Sequence, residues 1–415
     1  MSKLEELIKE FCPNGVEYKP LWSLTAWDKR FNGIDRSMQK KVVSYKYYLS
    51  SEFNEVERKD GDILYIPTGI TNEKKYTTEE LAGEYLAEGE IVCIPWGGTP
   101  NVKYHKGKFV TGDNRIATSL DTNILDNKYL YYWMQSKIDL IASFYRGAGI
   151  QHPSMKSVLE LQIPLPALPV QREIVRILDS FTLYSAELTA ELTAELTARR
   201  KQYEFYRDKL LNFNTSIEET TIGDIALVTK LAGFEFTNYV KYSDFGNVIA
   251  LRGLNVKNGK LDLTDVKYID GSDFSKLNRS KLQIGDMLFT YVGTIGQVAL
   301  IEEDDKYYLA PNVALIRLKR KDIMPKYIRY YFQSNAFFST QILRLLQSSS
   351  MQNIPMEKIR KFVVKIPTLE KQKEIVEILD KFDSICNDLS AGLPAEIEHR
   401  QKQYEYYRDK LLRFK

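Results

Sequence analysis

The sequence predicts an α+β protein in which two similar α/β domains are joined by two long antiparallel helices, as a pseudo-twofold tandem duplication. The first observation is a repeat, since QYEFYRDKLLNF (202–213) returns as QYEYYRDKLLRF (403–414) with ten of twelve positions identical. The second is that QREIVRILDSF (171–181) aligns with QKEIVEILDKF (372–382) at the same offset of 201 residues. A period of this kind determines the layout of the whole chain.

Similarity between the two halves is uneven, being strong in the helical segments and weak between them. This unevenness predicts four parts: a first variable domain (1–168), a central long helix (169–213), a second variable domain (214–369) and a distal long helix (370–415). Two domains that differ are therefore connected by two helices that match. A duplication retained only for stability is the alternative explanation.

The central helix is predicted by apolar residues that step by three and four from Ile174 to Phe213, which gives one stripe along a long helix. Such a helix needs a partner, and its own copy is the obvious one. Gly392 and Pro394 interrupt the copy, so we expect a kink or break near them. The residues predicted to lie where the helices meet are Leu188, Leu192, Leu196, Tyr203, Tyr206, Leu389, Tyr404 and Tyr407.

The stretch SAELTAELTAELTA at 185–198 repeats a four-residue unit within this helix. Ala and Glu are strong helix formers, and each unit adds about 6 Å and turns about 400°, so the leucines stay near one face. We therefore interpret the repeat as a spacer of adjustable length. Neutral slippage of a repeated gene sequence is the alternative. With antiparallel helices, the two variable domains would be related by a twofold axis, which suits the symmetry of duplex DNA.

Composition excludes several classes of protein. The net charge of +3 does not by itself indicate a nucleic-acid partner. The three cysteines and three histidines are scattered, which predicts neither disulfides nor a zinc site. No apolar run approaches the ~18 residues that a membrane span needs, and MSKLEELIKEF lacks the apolar core of a signal peptide. We expect a soluble cytoplasmic protein that does not contact a membrane.

Each variable domain is predicted to combine short strands with one amphipathic helix. In the first domain the predicted elements are strands at 40–50, 62–67 and 90–95, a hairpin at 101–111 and a helix at 128–145. In the second they are strands at 247–254, 286–292, 297–302, 307–310 and 312–320 and a helix at 326–346.

Basic and aromatic residues interleave in these strands, which suits contact with phosphates. The segments after the two helices, YRGAGIQHPSMK (145–156) and LLQSSSMQNIPMEK (345–358), are rich in small and amide side chains, which suit base edges. Lysines that guard a strand edge and caps at helix C-termini are the alternatives. The residues predicted to contact DNA are Lys40, Lys41, Lys46, Lys103, Lys106, Lys108, Arg146, Gln151, Arg252, Lys319, Arg320, Ser349, Gln352 and Asn353.

Motifs of catalysis are missing from the sequence. There is no GxxxxGK[ST] loop, no GxGxxG after a strand, no NPPY-type tetrapeptide, and no HExxH or Ser/His/Asp set. Glu57-Arg58-Lys59 has the ExK spacing of a nuclease only at the level of chance. The chain is therefore predicted to be no enzyme and to bind no metal or cofactor of its own.

Through its paired helical motifs and TAEL repeat, the sequence resembles the specificity subunit of type I restriction–modification enzymes. The resemblance implies that each variable domain is a target-recognition domain reading one half of a bipartite, asymmetric DNA sequence, with the helices setting the gap. It also implies two modification subunits, which dock on the helices and methylate adenine with S-adenosylmethionine. Restriction subunits would add translocation and cleavage with ATP and Mg²⁺. A helical assembly scaffold without DNA specificity of its own is the alternative.

Overall fold

The computed structural model describes residues 2–71, 73–213, 217–347, 353–387 and 392–414. Contacts divide the chain into two compact units. Unit 1 comprises Met1–Ala190 and Glu398–Lys415, and unit 2 comprises Glu191–Ile397. Each unit therefore contains one variable domain together with parts of both long helical segments.

Unit 1 is built on a six-stranded sheet and has two further strand pairs, β1 with β10 and β8 with β9. The strands of the unit are β1 (Glu17–Pro20), β2 (Thr25–Trp27), β3 (Ile63–Ile66), β4 (Lys75–Thr77), β5 (Ala87–Pro95), β6 (Lys103–Thr111), β7 (Asn114–Ser119), β8 (Tyr145–Arg146), β9 (His152–Pro153) and β10 (Gln162–Leu165). Its helices are α1 (Lys3–Phe11), α2 (Leu21–Leu24), α3 (Ser50–Val56), α4 (Glu79–Ala82), α5 (Asn127–Ser136), α6 (Ile138–Ala142), α7 (Met155–Leu159) and the first part of α8 (Leu168–Leu211). The large sheet has the order β2-β7-β5-β6-β3-β4, in which β3 and β6 are parallel.

Unit 2 divides its strands among smaller sheets. They are β11 (Glu218–Thr221), β12 (Ala226–Lys230), β13 (Ile249–Leu251), β14 (Val256–Lys257), β15 (Lys260–Leu261), β16 (Lys267–Tyr268), β17 (Met287–Thr290), β18 (Val298–Leu300), β19 (Tyr307–Leu309), β20 (Val313–Leu318) and β21 (Val363–Ile366). Its helices are α9 (Ile222–Ile225), α10 (Gly233–Tyr239), α11 (Pro325–Gln333), α12 (Asn335–Phe337), α13 (Leu343–Gln347), α14 (Met356–Arg360), α15 (Leu369–Asn387) and the start of α16 (Leu393–Leu411).

The duplication is visible in strand pairing. In unit 1, β1 pairs with β10 so that Glu17 faces Leu165, and in unit 2 β11 pairs with β21 so that Glu218 faces Ile366. Both residues of the second pair lie 201 positions after those of the first. The order β12-β20-β17-β18 in unit 2 likewise repeats the order β2-β7-β5-β6 of unit 1. The predicted α+β class is confirmed.

The central helix α8 is continuous over 44 residues, which corresponds to about 66 Å. Ala, Leu and Glu dominate its repeat, and no Gly or Pro follows Pro169 within it. The distal segment is interrupted as expected, because α15 ends at Asn387, Gly392 lies in a bend and α16 begins at Leu393.

The two helical segments run antiparallel within each unit. In unit 1, Phe181 of α8 lies beside Tyr407 of α16, and Thr182 hydrogen-bonds Tyr404 at 3.0 Å. In unit 2, Tyr206 of α8 stacks on Phe382 of α15 with ring centroids 5.5 Å apart. The corresponding aromatic pair therefore recurs with the roles of the two helical segments exchanged.

Each unit has its own core, in which its helical segments take part. In unit 1, Ile174 and Leu178 of α8 are buried with Trp27, Trp133 and the C-terminal Leu412. In unit 2, the core joins Tyr203 and Leu211 of α8 to Phe289, Ile375 and Leu379. Burial of each large apolar side chain contributes about 1.5–3 kcal/mol, so the helices are integral to both units.

Several predicted elements differ from the structure. Residues 40–48 form isolated bridges at Val42 and Tyr47 instead of a strand, and α3 follows at Ser50. The predicted hairpin at 101–111 is one strand, β6, because it pairs along its length with β5 and also with β3. The predicted helix at 128–145 divides at Lys137 into α5 and α6. The helix at 326–346 breaks at Ser334, whose hydroxyl caps the next turn at Phe337.

Candidate nucleic-acid interface

A buried glutamine fastens each domain to its long helix. In unit 1, Gln171 accepts a hydrogen bond from the N–H of Asp126 at 2.9 Å and donates to the carbonyls of Ile124 and Pro166, both at 2.8 Å. Asp126 is the N-cap of α5, so the clamp sets where that helix begins.

The same clamp recurs in unit 2, 201 residues later. Gln372 accepts from the N–H of Met324 at 2.8 Å and donates to the backbone carbonyls of Asp322 and Pro367 at 3.0 and 2.9 Å. Met324 precedes α11 as its N-cap. Both glutamine residues are 0% exposed.

A second duplicated contact joins the domain helix to the long helix. Asp179 accepts hydrogen bonds from Lys128 at 2.8 Å and Tyr132 at 2.7 Å. Asp380 accepts the equivalent bonds from Lys326 at 2.8 Å and Tyr330 at 2.6 Å. Sequence alignment contained these residues, but the pairings become visible only in the structure. The repeated motifs thus hold each domain helix in a defined position.

Two segments meet at one edge of the domain in unit 1. The N–H of Gly98, which has φ of 97°, donates to the carbonyl of Gln151 at 3.2 Å. The ring of His152 bonds the carbonyl of Trp96 at 2.8 Å. A Cβ built on Gly97 would lie 2.8 Å from Cγ2 of the exposed Ile150, so any larger residue there would require the Ile150 side chain to move. The predicted segment 145–156 is therefore packed against the loop that follows β5.

The corresponding segments also meet in unit 2. Val292 forms a bridge with Asn353, and the N–H of Ile354 donates to the carbonyl of Tyr291 at 2.9 Å. Asn353 is thus placed at this edge by backbone pairing. Ser349 and Gln352, which were also predicted to contact DNA, lie outside the described residues.

Three of the six predicted lysines of unit 1 have carboxylate partners. Lys46 pairs with Glu84, Lys106 with Glu90 at 3.4 Å, and Lys108 with Glu79 at 2.7 Å. These pairs reduce the positive charge that β6 and its neighbours present.

The other predicted residues of unit 1 differ in accessibility. Lys103 is half-buried, donates to the carbonyl of Thr68 at 3.0 Å, and has its pKa lowered by burial. Lys40 and Lys41 are exposed, and so are Arg146 of β8 and Gln151.

In unit 2 the predicted arginines are also held by acidic residues. Arg252 donates to Asp265 at 2.8 Å. Arg320 binds both Glu218 and Asp322, whose hydrogen bonds raise the pKa of its guanidinium. Lys319 is exposed. Among the described residues, neither the two arginines nor Lys319 forms a hydrogen bond or ion pair with the edge where Asn353 lies.

A cationic cavity that the sequence did not nominate lies at the edge where Trp96 meets the segment 145–156. Its volume is about 430 Å³, and its lining includes Lys29, Arg30, Lys156 and Trp96. The wall is supported by Arg115, which lies 4.6 Å from the Trp96 ring and donates to Asp28 at 2.7 Å. Burial raises the pKa of Asp28, although Arg115 acts in the opposite direction.

A signal for this cavity was present in the repeat. Lys29 follows β2, and the residue 201 positions later, Lys230, ends β12. Lys230 lies 5.5 Å from the ring of Tyr291, next to the loop after β17. In unit 1 Lys29 and Trp96 line the same cavity, and in unit 2 the equivalent Lys230 lies near the ring of Tyr291.

The predicted stripe residues lie on the helical segments with different exposure. Leu188 and Tyr404 line a 280 Å³ groove between α8 and α16 in unit 1, together with Tyr407. In unit 2, Leu196 packs on the core and Tyr203 is buried within it. Leu192 is half-buried, Tyr206 is 37% exposed, and Leu389 lies outside the described residues.

Equivalent aromatic side chains remain exposed beside both helix pairs. In unit 1 they are Tyr406 and Tyr407 of α16, and in unit 2 they are Phe205 and Tyr206 of α8. Each pair packs edge to face, with centroids 5.3 and 5.4 Å apart. The opposite helix adds a further exposed apolar residue 201 positions apart, Tyr184 in unit 1 and Ile385 in unit 2. We call these surfaces aromatic patch 1 (Tyr184, Tyr406, Tyr407) and aromatic patch 2 (Phe205, Tyr206, Ile385).

Within the ranges that the structure describes, no group of three or more His, Cys, Asp or Glu side chains is placed to hold a metal ion. No helix in the same ranges is long and apolar enough to cross a membrane.

The duplicated mixed domains on long helices, with a clamp, a loop edge and an aromatic patch in each unit, define a two-site recognition scaffold. The sequence profile of the family described as "Type I restriction modification DNA specificity domain" matches residues 43–198 and 214–399. The chain is 33% identical over 431 aligned residues to the Escherichia coli type I restriction enzyme EcoR124I/EcoR124II specificity subunit, covering 100% of this chain and 98% of that one.

A putative type I restriction enzyme specificity subunit of Haemophilus influenzae is 31% identical over 348 residues, which cover 80% of this chain and 84% of that one. Among solved structures, a chain described for complex assembly and conformational transition of the type I R-M system aligns with a TM-score of 0.61 at 13% identity, over 97% and 98% of the two chains. That likeness supports the fold alone. The chain therefore belongs to the family of type I restriction–modification specificity proteins.

Proposed function

We propose that the chain is the non-catalytic DNA-recognition subunit of a type I restriction–modification complex. Each target-recognition domain reads one half of a bipartite, asymmetric duplex site. The observation that carries this proposal is the repeated edge in the two units, where a glycine-containing loop meets the segment after the domain helix. Membership of the DNA specificity family supports it.

The buried clamps indicate why the long helices belong to the recognition function. Gln171 and Gln372 attach the start of each domain helix to the long helical segments, and Asp179 and Asp380 attach its next turn. A domain that is attached in this way moves together with its long helical segments. The helices then set the distance between the two half-sites on DNA, as the TAEL interpretation requires.

Aromatic patches 1 and 2 are proposed as the docking surfaces for two copies of one modification subunit. Because the patches are built from equivalent residues, they suit two identical partner chains. Exposed Tyr and Phe are enriched among the residues that dominate protein interfaces. Such modification subunits would bring S-adenosylmethionine for adenine methylation, and restriction subunits would bring ATP and Mg²⁺ for translocation and cleavage. A cytoplasmic location is part of the same proposal.

Removing one patch is expected to remove one partner. Tyr406→Glu and Phe205→Glu place a carboxylate at equivalent positions that are 62% and 61% exposed, so the fold should be retained. Each variant should weaken one docking event at least about 30-fold, since loss of an aromatic anchor costs about 2 kcal/mol or more. Native mass spectrometry of the purified complex should show one modification subunit for each single variant and none for the double variant.

The matched control is Phe245→Glu, which alters a residue that is 82% exposed in a bend between α10 and β13 of unit 2. It should leave two modification subunits bound. A double variant at Tyr406 and Phe205 that still carries two subunits would contradict the docking proposal.

The function itself is tested by a methylome. The chain is expressed with its cognate modification subunit in a host without adenine methylation, and N6-methyladenine is mapped by long-read sequencing. We expect a new two-part motif with an unspecified gap that disappears when this chain is omitted. Methylation that does not depend on the chain would instead favour the scaffold without DNA specificity.

A further inference from the structure

The cations around the unit 1 cavity differ in one respect from the predicted DNA contacts on and near β6. Among the described residues, Lys29, Arg30 and Lys156 are exposed and have no carboxylate within an ion-pair distance. Lys46, Lys106 and Lys108 each have a glutamate partner. Other exposed cations of unit 1, such as Lys40, Lys41 and Arg146, also have no ion pair among the described residues, but Lys29, Arg30 and Lys156 are the ones that line a single cavity together.

The segment that carries Lys29 and Arg30 is held in shape before any ligand arrives. The buried amide of Gln39 accepts from the N–H of Phe31 at 2.8 Å and donates to the carbonyl of Lys29 at 2.9 Å. Asp28, immediately before them, accepts from the N–H of Ile116 at 3.0 Å and is fixed by Arg115. Because both ends are anchored, the two cations are presented at little further cost in conformational entropy.

The opposite wall of the cavity comes from the segment 145–156, which the sequence predicted to contact DNA. Lys156 follows Gln151 and His152, which pack against Gly98 and Trp96. The cavity is therefore continuous with the loop edge at which we place base recognition. Its volume of about 430 Å³ and its mixture of cations with an aromatic wall suit a phosphate with part of its sugar.

We propose that this cavity is the backbone anchor of the first recognition domain, in which Lys29, Arg30 and Lys156 bind phosphodiester groups of the DNA strand that enters the loop edge. The proposal rests on the DNA-recognition function above and assigns its phosphate contacts to residues that the sequence did not nominate. Lys230 beside Tyr291 in unit 2 repeats one element of the anchor. In this arrangement, the cavity supplies affinity and register, and the loop edge supplies sequence preference.

The test measures how DNA binding depends on salt, using the complete complex with its modification subunits. Each phosphate neutralised contributes about 0.9 to the slope of log K against log salt concentration. A variant combining Lys29→Gln, Arg30→Gln and Lys156→Gln should therefore have a slope shallower by about 2–3, and bind its site about 100-fold more weakly at 0.15 M salt. Ethylation interference should disappear at phosphates of one half-site only.

The matched control combines Lys59→Gln, Lys74→Gln and Lys137→Gln, which removes the same charge from exposed positions of the same unit. Its slope should change by less than about 1, since these lysines do not line the cavity. A cavity variant with the slope of the unaltered complex overturns the anchor. A cavity variant that loses modification subunits but keeps the slope also overturns it, because the cavity would then bind an acidic protein segment.

Failure of the anchor and failure of the proposed function give different results. If the unaltered complex has no preference for a two-part site, the DNA-recognition function itself fails. If it has that preference and the cavity variant binds equally well at every salt concentration, only the anchor fails.

Discussion

Deleting the four residues Thr189–Leu192 is expected to move methylation to a new two-part motif, with both half-sites unchanged and the gap shorter by about one or two base pairs. The deletion removes about 6 Å from the helix, compared with about 3.4 Å per base pair of duplex. Methylation at the original motif should be lost almost completely, because the two domains would no longer meet their half-sites together.

The structure gives a reason why the change should be tolerated. The deleted residues lie within the continuous helix α8, and removing four of them leaves the following residues rotated by only about 40°. Gly392 of the distal helical segment lies in a bend just before α16 begins at Leu393. The distal segment is therefore not one straight helix, and glycine accepts the change of backbone angle that a shorter α8 would require.

The measurement is the methylome of the deletion variant, and it has two matched controls. Thr189→Ala with Glu191→Ala keeps the length of α8 and should keep the original motif. Insertion of one further Thr-Ala-Glu-Leu unit should lengthen the gap by the same one or two base pairs. An unchanged gap in the deletion variant, or altered half-sites, would exclude a spacer role for the repeat.

Replacing Gln171 with leucine is expected to destabilise unit 1 by about 2–4 kcal/mol, since buried polar groups that lose their partner cost about 1–3 kcal/mol each. Leucine is similar in size, but it cannot bond the N–H of Asp126 or the carbonyls of Ile124 and Pro166. The N-terminus of α5 would then lose its fixed attachment to α8.

Hydrogen exchange resolved by peptide is the appropriate measurement, since a protein of two units need not unfold in a single step. Gln171→Leu should accelerate exchange in unit 1, and Gln372→Leu should do so in unit 2. Gln401→Ala alters an exposed glutamine of α16 and should change neither. Equal acceleration in both units from either clamp variant would show that the clamps do not act locally.

The long helices and the duplication could be predicted because both can be recognised in the sequence without knowing which residues meet in space. The three-and-four spacing from Ile174 onward belongs to a single segment, and the repeat can be found by aligning the chain with itself. Gly392 likewise indicates a break wherever the helix is placed. None of these inferences needs a distant partner.

The candidate site could not be predicted in the same way because it depends on such partners. The glutamate that neutralises Lys46 is 38 residues away in sequence, and the one that neutralises Lys108 is 29 residues away. Alternation of lysine and tyrosine at 40–48 resembles a strand, but the segment finds only isolated bridges. The cavity joins side chains from near Lys29, Trp96 and Lys156, which no local pattern connects.

Unit 1 is assembled from two distant stretches of chain, whereas unit 2 is one continuous stretch. The hydroxyl of Tyr18 donates to the carbonyl of Phe414 at 3.0 Å, and Leu412 is buried in the same core as Trp27. It follows that, during synthesis on the ribosome, unit 1 is begun first and completed last. All residues of unit 2 have been added while unit 1 still lacks Glu398–Lys415, which include most of α16. A chain that is released before these residues are added therefore has an incomplete core in unit 1. Such a truncated chain is exposed to proteolysis before it can take the place of a complete chain in a complex.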